Sequence, residues 1–117
     1  MSKAAKSVFV FGIYLIFIGL GFLLIPNTVL GPLGFPTTTG PWIQVVGMIL
    51  LIMAYYYIQS ARSELASFFR LTVHVRLSVI VFFIAFVLLG ITPPILIMFG
   101  VVDLLGAIWT ALALRST

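Results

Sequence analysis

The chain alternates long apolar runs with short polar or proline-rich breaks, and each run is near the length of a membrane crossing. A helix needs about 20 mostly apolar residues to cross a hydrocarbon core. Val8–Ile25 is the first such run, with Lys3 and Lys6 before it and Pro26-Asn27 after it. At 18 residues with no small-residue cleavage site, it exceeds the apolar stretch of a signal peptide and predicts a retained helix. Residues 26–41 carry no charge but hold four prolines and three glycines, a spacing that no helix continues through. They predict a loop lying against the membrane surface, with Pro41 suited to the first turn of the next helix.

Trp42–Ile58 is the second run, and Gln59–Arg76 is the one extended polar stretch. The third run, Leu77–Ile91, is short alone, so its helix is expected to begin near Phe68 and to carry basic residues inside it. Thr92-Pro93-Pro94 predicts a tight turn before the last run, Ile95–Leu114, which only Asp103 interrupts. The expected architecture is all-α: a polytopic membrane protein forming one domain over 1–117, an up-down bundle of four transmembrane helices. Those helices are expected near 8–25, 42–58, 68–91 and 94–114, with a hairpin over 59–67.

Composition agrees with this reading and narrows the classes. Of the 117 residues, 63% are hydrophobic and 7% charged, and mean hydropathy is +1.35. Soluble domains run near 25% charged, and one this small could not bury so much apolar surface. Soluble enzymes and nucleic-acid modules are therefore excluded. The absence of cysteine removes disulfides, thiolate metal sites and iron–sulfur clusters. The pI near 10.0 comes from six cations at membrane edges, which makes anionic lipid headgroups the expected partner.

Charge also predicts orientation. Lys3, Lys6, Arg62, Arg70, Arg76 and Arg115 fall on one side of a four-pass chain, and the opposite loops carry none. The positive-inside rule then places both termini and the middle hairpin in the cytoplasm, with the protein in a bacterial inner membrane. Trp42, Tyr55, Tyr56, Tyr57 and Trp109 are expected as interface anchors. Gly12, Gly19, Gly47, Gly100 and Gly106 are expected to line helix-packing seams.

Candidate chemistry is sparse. Asp103 is the acid inside an apolar run, and an ionisable group at such depth is a functional hypothesis by default. It shares a helical face with Gly100, Gly106, Ala107 and Thr110, so it is expected to face the bundle. It reads as a buried structural group bonded to Ser78, Tyr14 or Arg76, as a proton-relay or binding acid, or as a contact to another subunit. Arg76 lies on a stripe with Phe69, Thr72, Ile80 and Phe83, at an axial distance from Asp103 on the order of 10 Å. His74 lies on another face with Arg70; it reads as a headgroup contact or as a donor to a quinone carbonyl. No nucleophile, nucleotide loop or metal-ligand spacing is present, so no catalytic residue, metal or cofactor is expected.

Gly19 to Pro26, the Gly34-Phe35-Pro36 loop, Trp42 followed by Gly47, the basic hairpin through Arg76, and Asp103-Leu104-Leu105-Gly106 together resemble the DoxX-like group of small bacterial membrane proteins. That resemblance implies an accessory membrane subunit and carries over no catalytic residue. Small multidrug transporters share the length and helix number, but they place a glutamate in the first helix, where Val8–Ile25 has no acid. The expected function is a non-catalytic accessory or assembly subunit that packs against membrane partners, as a homo-oligomer or in a larger complex. The alternatives are a small-molecule or proton-coupled carrier, or a quinone- or lipid-binding protein, centred on Asp103.

Overall fold

The computed structural model describes residues 1–36 and 40–116, all of whose regular elements are helical. They are α1 (Lys3–Leu24), α2 (Pro26–Leu30), α3 (Trp42–Arg62), α4 (Ala66–Leu88) and α5 (Leu96–Arg115). All but α2 are long and apolar enough to cross a membrane, and the chain is a multi-pass membrane protein built as a four-helix bundle. Its long dimension of 44 Å matches a bilayer with its headgroup layers, about 40–45 Å.

Each boundary follows from local chemistry. Ser2 caps α1, its hydroxyl accepting from the Ala5 N–H, so the helix starts five residues before the apolar run and contains both lysines. Pro26 ends α1, since it has no N–H to continue the ladder, and begins α2. That short helix corrects the expected loop: proline excludes continuation and favours initiation. The chain then turns through residues 31–34, and Gly34, at φ +83°, brings Phe35 back to donate to the Leu30 carbonyl. Thr37, Thr38 and Thr39, part of the same expected loop, lie outside the described residues.

The expected hairpin over 59–67 shrinks to residues 63–65, because α3 continues as a polar helix through Gln59 and Arg62. Its end is a Schellman closure: Leu65 N–H reaches the Ser60 carbonyl and Glu64 N–H the Ala61 carbonyl, with Glu64 left-handed at φ 54°. The same closure ends α4 at Leu88, short of the expected 91. There Gly90 takes φ +74°, and Ile91 N–H bonds to the Phe86 carbonyl. Beyond the prolines, bonds from Leu96, Ile97 and Met98 to carbonyls three residues earlier lead into α5.

A left-handed non-glycine residue is strained, and Glu64 is held there by α1. Its carboxylate accepts from the Ser2 backbone N–H and hydroxyl, both at 2.7 Å. No acid lies in the first turn of α1, so Glu64 supplies the negative charge that the helix dipole favours at this end.

The helix order in space differs from the order in sequence. α1 packs along α3 on one side and against the α4–α5 pair on the other, while α3 and α4 scarcely touch. Small residues make these approaches possible. A Cβ on Gly47 would lie 2.7 Å from the Gly19 carbonyl oxygen and 2.8 Å from the Leu23 nitrogen. Gly12 fits against Tyr57 and Ile58, and Gly100 against Ile80 and Phe83. The dense core (Ala4, Ala5, Val8, Phe11, Ala54, Tyr57, Ala61, Phe69, Ala113) lies in the half that carries the cations, here called the basic half.

Gly47→Ala is expected to lower the thermal unfolding midpoint in detergent, by about 1–3 kcal/mol of stability, because backbone must move to admit the methyl group. Val81→Ala, on an exposed face, should leave the midpoint near wild type. The Ser2 hydroxyl and then its N–H hold the Glu64 carboxyl below the ordinary value, so its stabilisation is present above that value and lost as pH falls through the lowered one. In melting curves from pH 7 downward, the margin of wild type over Glu64→Gln should therefore narrow and close in acid.

Candidate functional site

Two polar features occupy the bundle interior, stacked along its axis. The deeper in packing is Arg76, 2% exposed and with no acid paired to it among the described residues. Its Nε donates to the Thr72 carbonyl at 3.2 Å, and its Nη2 to the hydroxyls of Thr72 at 3.0 Å and Thr110 at 2.8 Å. The directions of the hydroxyl bonds follow by elimination. Thr72 gives its proton to the Phe69 carbonyl and Ser7 gives its own to the Ala4 carbonyl, at 2.8 and 2.7 Å. The 2.7 Å contact between Thr110 and Ser7 must then be donated by Thr110. Thr72 and Thr110 thus both present lone pairs to the guanidinium, with their own protons turned away.

Aromatic faces complete the enclosure, with the Phe11 ring centroid 4.9 Å and the Tyr57 centroid 5.8 Å from the guanidinium carbon. Gly106 leaves the space this needs, since a Cβ there would meet Phe11 at 2.9 Å and Arg76 Nη1 at 3.2 Å. Nη1 itself has no hydrogen-bond partner among the described residues. Tyr57 is consequently a core residue, 4% exposed and edge-on to Phe68, rather than the interface anchor expected beside Tyr55 and Tyr56. Those two tyrosines, Trp42 and Trp109 are exposed.

One turn along each helix, Phe11 gives way to Tyr14 and Gly106 to Asp103. Here the bundle opens into a cavity of about 320 Å³. Asp103 and Tyr14 supply its polar groups, and Phe22, Phe83 and Phe99 line its walls with Leu15, Ile18, Val46 and Leu50. Leu30 of α2 and Phe35, joined by the backbone bond through Gly34, lie at the far end. Sites of about 300–1,000 Å³ that are mostly apolar with few polar groups are the usual form of small-molecule pockets.

Asp103 and Arg76 form no ion pair, for a geometric reason. Helical side chains lean toward the N-terminus of their own helix. Arg76 leans along α4 toward the basic half and Thr72, while Asp103, on antiparallel α5, leans toward the cavity. Of the remaining suggested partners, Tyr14 shares the cavity with Asp103, whereas Ser78 is exposed and bonds to the Val75 carbonyl. His74 is exposed as well, in a groove with Arg70 and Arg115 on the outer surface. The structure thus separates the three sequence candidates into a cavity wall, a buried cluster and a surface groove. No protein-family model, curated protein or solved structure matches this chain.

Sequence reasoning placed Thr72 and Thr110 on the right faces without a role, named Tyr14 and Phe83 without joining them in a cavity, and passed over Ser7, Phe11 and the remaining cavity walls. A hydroxyl four residues before a buried arginine was the available signal, because such a pair meets on one helix face. Among the described residues no group of three His, Asp or Glu side chains gathers where a metal ion could sit.

Thr110→Val removes one acceptor from a buried cation and should cost about 1–3 kcal/mol in an unfolding assay. In an Arg76→Met background, where no cation needs that acceptor, the same change should cost much less. The double-mutant cycle measures the difference directly.

Proposed function

We propose that this chain is a bacterial inner-membrane protein with cytoplasmic termini, and that it binds a small lipophilic molecule in the cavity above Asp103. The orientation rests on Lys3, Lys6, Arg62, Arg70 and Arg115, five cations that belong to one end of the four-pass chain, whereas Arg76 lies inside the bundle and does not count toward it. The binding reading rests on one observation: a cavity of about 320 Å³ whose apolar walls converge on one carboxyl and one phenol. A ligand that fits is mostly apolar, with one polar group to meet Asp103 and Tyr14, as in a quinone ring or a lipophilic amine. The apolar lining makes transfer of such a molecule from lipid nearly neutral, so the polar floor decides which molecule stays. Nothing in the arrangement activates a nucleophile, and the site is read as binding rather than catalytic.

A second reading, the accessory or assembly subunit that the DoxX-like resemblance implies, draws support from the exposed apolar faces of α4 and α5, including Val81, Phe82 and Leu105. Lipid satisfies those faces equally well, whereas the cavity supports the binding reading.

The purified protein should gain thermal stability with a short-chain quinone or a lipophilic amine, because a ligand that binds only the folded state raises its melting temperature. Asp103→Asn should change which probe is preferred, and Leu50→Phe should abolish the shift by filling the cavity. Equal shifts in wild type and Leu50→Phe would place binding elsewhere.

A further inference from the structure

We propose that the groove between α4 and α5 at the basic end is a binding site for the phosphate of one anionic phospholipid. Arg70, in the second turn of α4, His74 one turn further along, and Arg115 at the end of α5 line this groove, together with Val73, Ala111 and Leu114. Its volume is about 350 Å³. Two arginines and a histidine from two helices thus line one groove together with three apolar residues. The match is to a headgroup phosphate with an acyl chain descending between the helices.

Charge complementarity identifies the occupant. The chain has two acidic side chains against six Lys and Arg. Glu64 is engaged by Ser2, and Asp103 lines the cavity in the other half. Neither acid reaches this groove among the described residues, which leaves its positive charge open to an anion from the bilayer. The bilayer supplies phosphates at this level, and basic pockets between helices at a membrane surface are sites for lipid headgroups. Arginine suits the task, since its planar fork meets two phosphate oxygens at once. The apolar floor selects a lipid over a free anion, because inorganic phosphate leaves Val73, Ala111 and Leu114 uncovered.

Native mass spectrometry of the protein in mild detergent, titrated with phosphatidylglycerol or phosphatidylcholine, tests the site. Wild type should retain phosphatidylglycerol in preference, and excess inorganic phosphate should not displace it. Arg70→Gln and Arg115→Gln should each weaken retention about fivefold, the worth of one basic residue at a charged membrane surface. Arg62→Gln removes the same charge outside the groove and should leave retention unchanged. Arg70→Lys should retain more lipid than Arg70→Gln, which separates loss of charge from loss of fold. The proposal is overturned if Arg62→Gln weakens retention as much as Arg70→Gln, or if inorganic phosphate displaces the lipid.

Discussion

In a hydrocarbon solvent apolar side chains gain little by leaving lipid for one another, so this bundle depends on how closely α1 can approach its neighbours. Gly19 and Gly47 bring α1 and α3 to backbone contact, and Gly106 lets Phe11 of α1 reach across α5 to the guanidinium of Arg76. From that approach follow the Thr110–Ser7 bond and the stacking of Phe11 on Arg76. The cavity lies where α3 and the α4–α5 pair do not close on each other, beside the Tyr14, Ile18 and Phe22 side chains of α1.

The buried cation belongs to the same economy of space. Placing Arg76 among apolar residues costs several kcal/mol unless its donors are met. Two threonines and one backbone carbonyl meet most of them, with no carboxylate. Because the hydroxyl protons are committed to carbonyls and to Ser7, the cluster has one orientation of dipoles, and that orientation suits a positive charge. Asp103 is thereby left without an arginine, as the floor of the cavity.

The four long helices were legible because hydrocarbon thickness imposes a length that the apolar runs display openly. Their ends were less so. Gln59 and Arg62 read as loop, yet a helix continues through polar residues once it enters the headgroup layer. The stop at Glu64 depends on Ser2, a residue 62 positions away in the chain. Tyr55, Tyr56 and Tyr57 look alike in sequence, but successive helical residues are separated by about 100°, and only the third faces inward. The face of Asp103 was readable from its small neighbours. Its separation from Arg76 was not, since it depends on two side chains leaning along antiparallel helices. A ligand site at Asp103 was among the readings, but the shape of the cavity was not legible, because its end is formed by α2 and Phe35, in a stretch whose prolines argued against helix.

The uneven distribution of packing has a mechanical consequence. Local opening in a protein is easiest where buried contacts are fewest. The basic half is filled by Ala, Val, Phe and Tyr side chains and pinned at its rim by Glu64, whereas the other half encloses empty space. Opening is therefore expected between α3 and the α4–α5 pair in the hollow half, while α1 and α3 stay joined there through Gly19 and Gly47. A molecule held in the cavity, as proposed above, would then reach it from the leaflet at the hollow end, past the side that opens most readily.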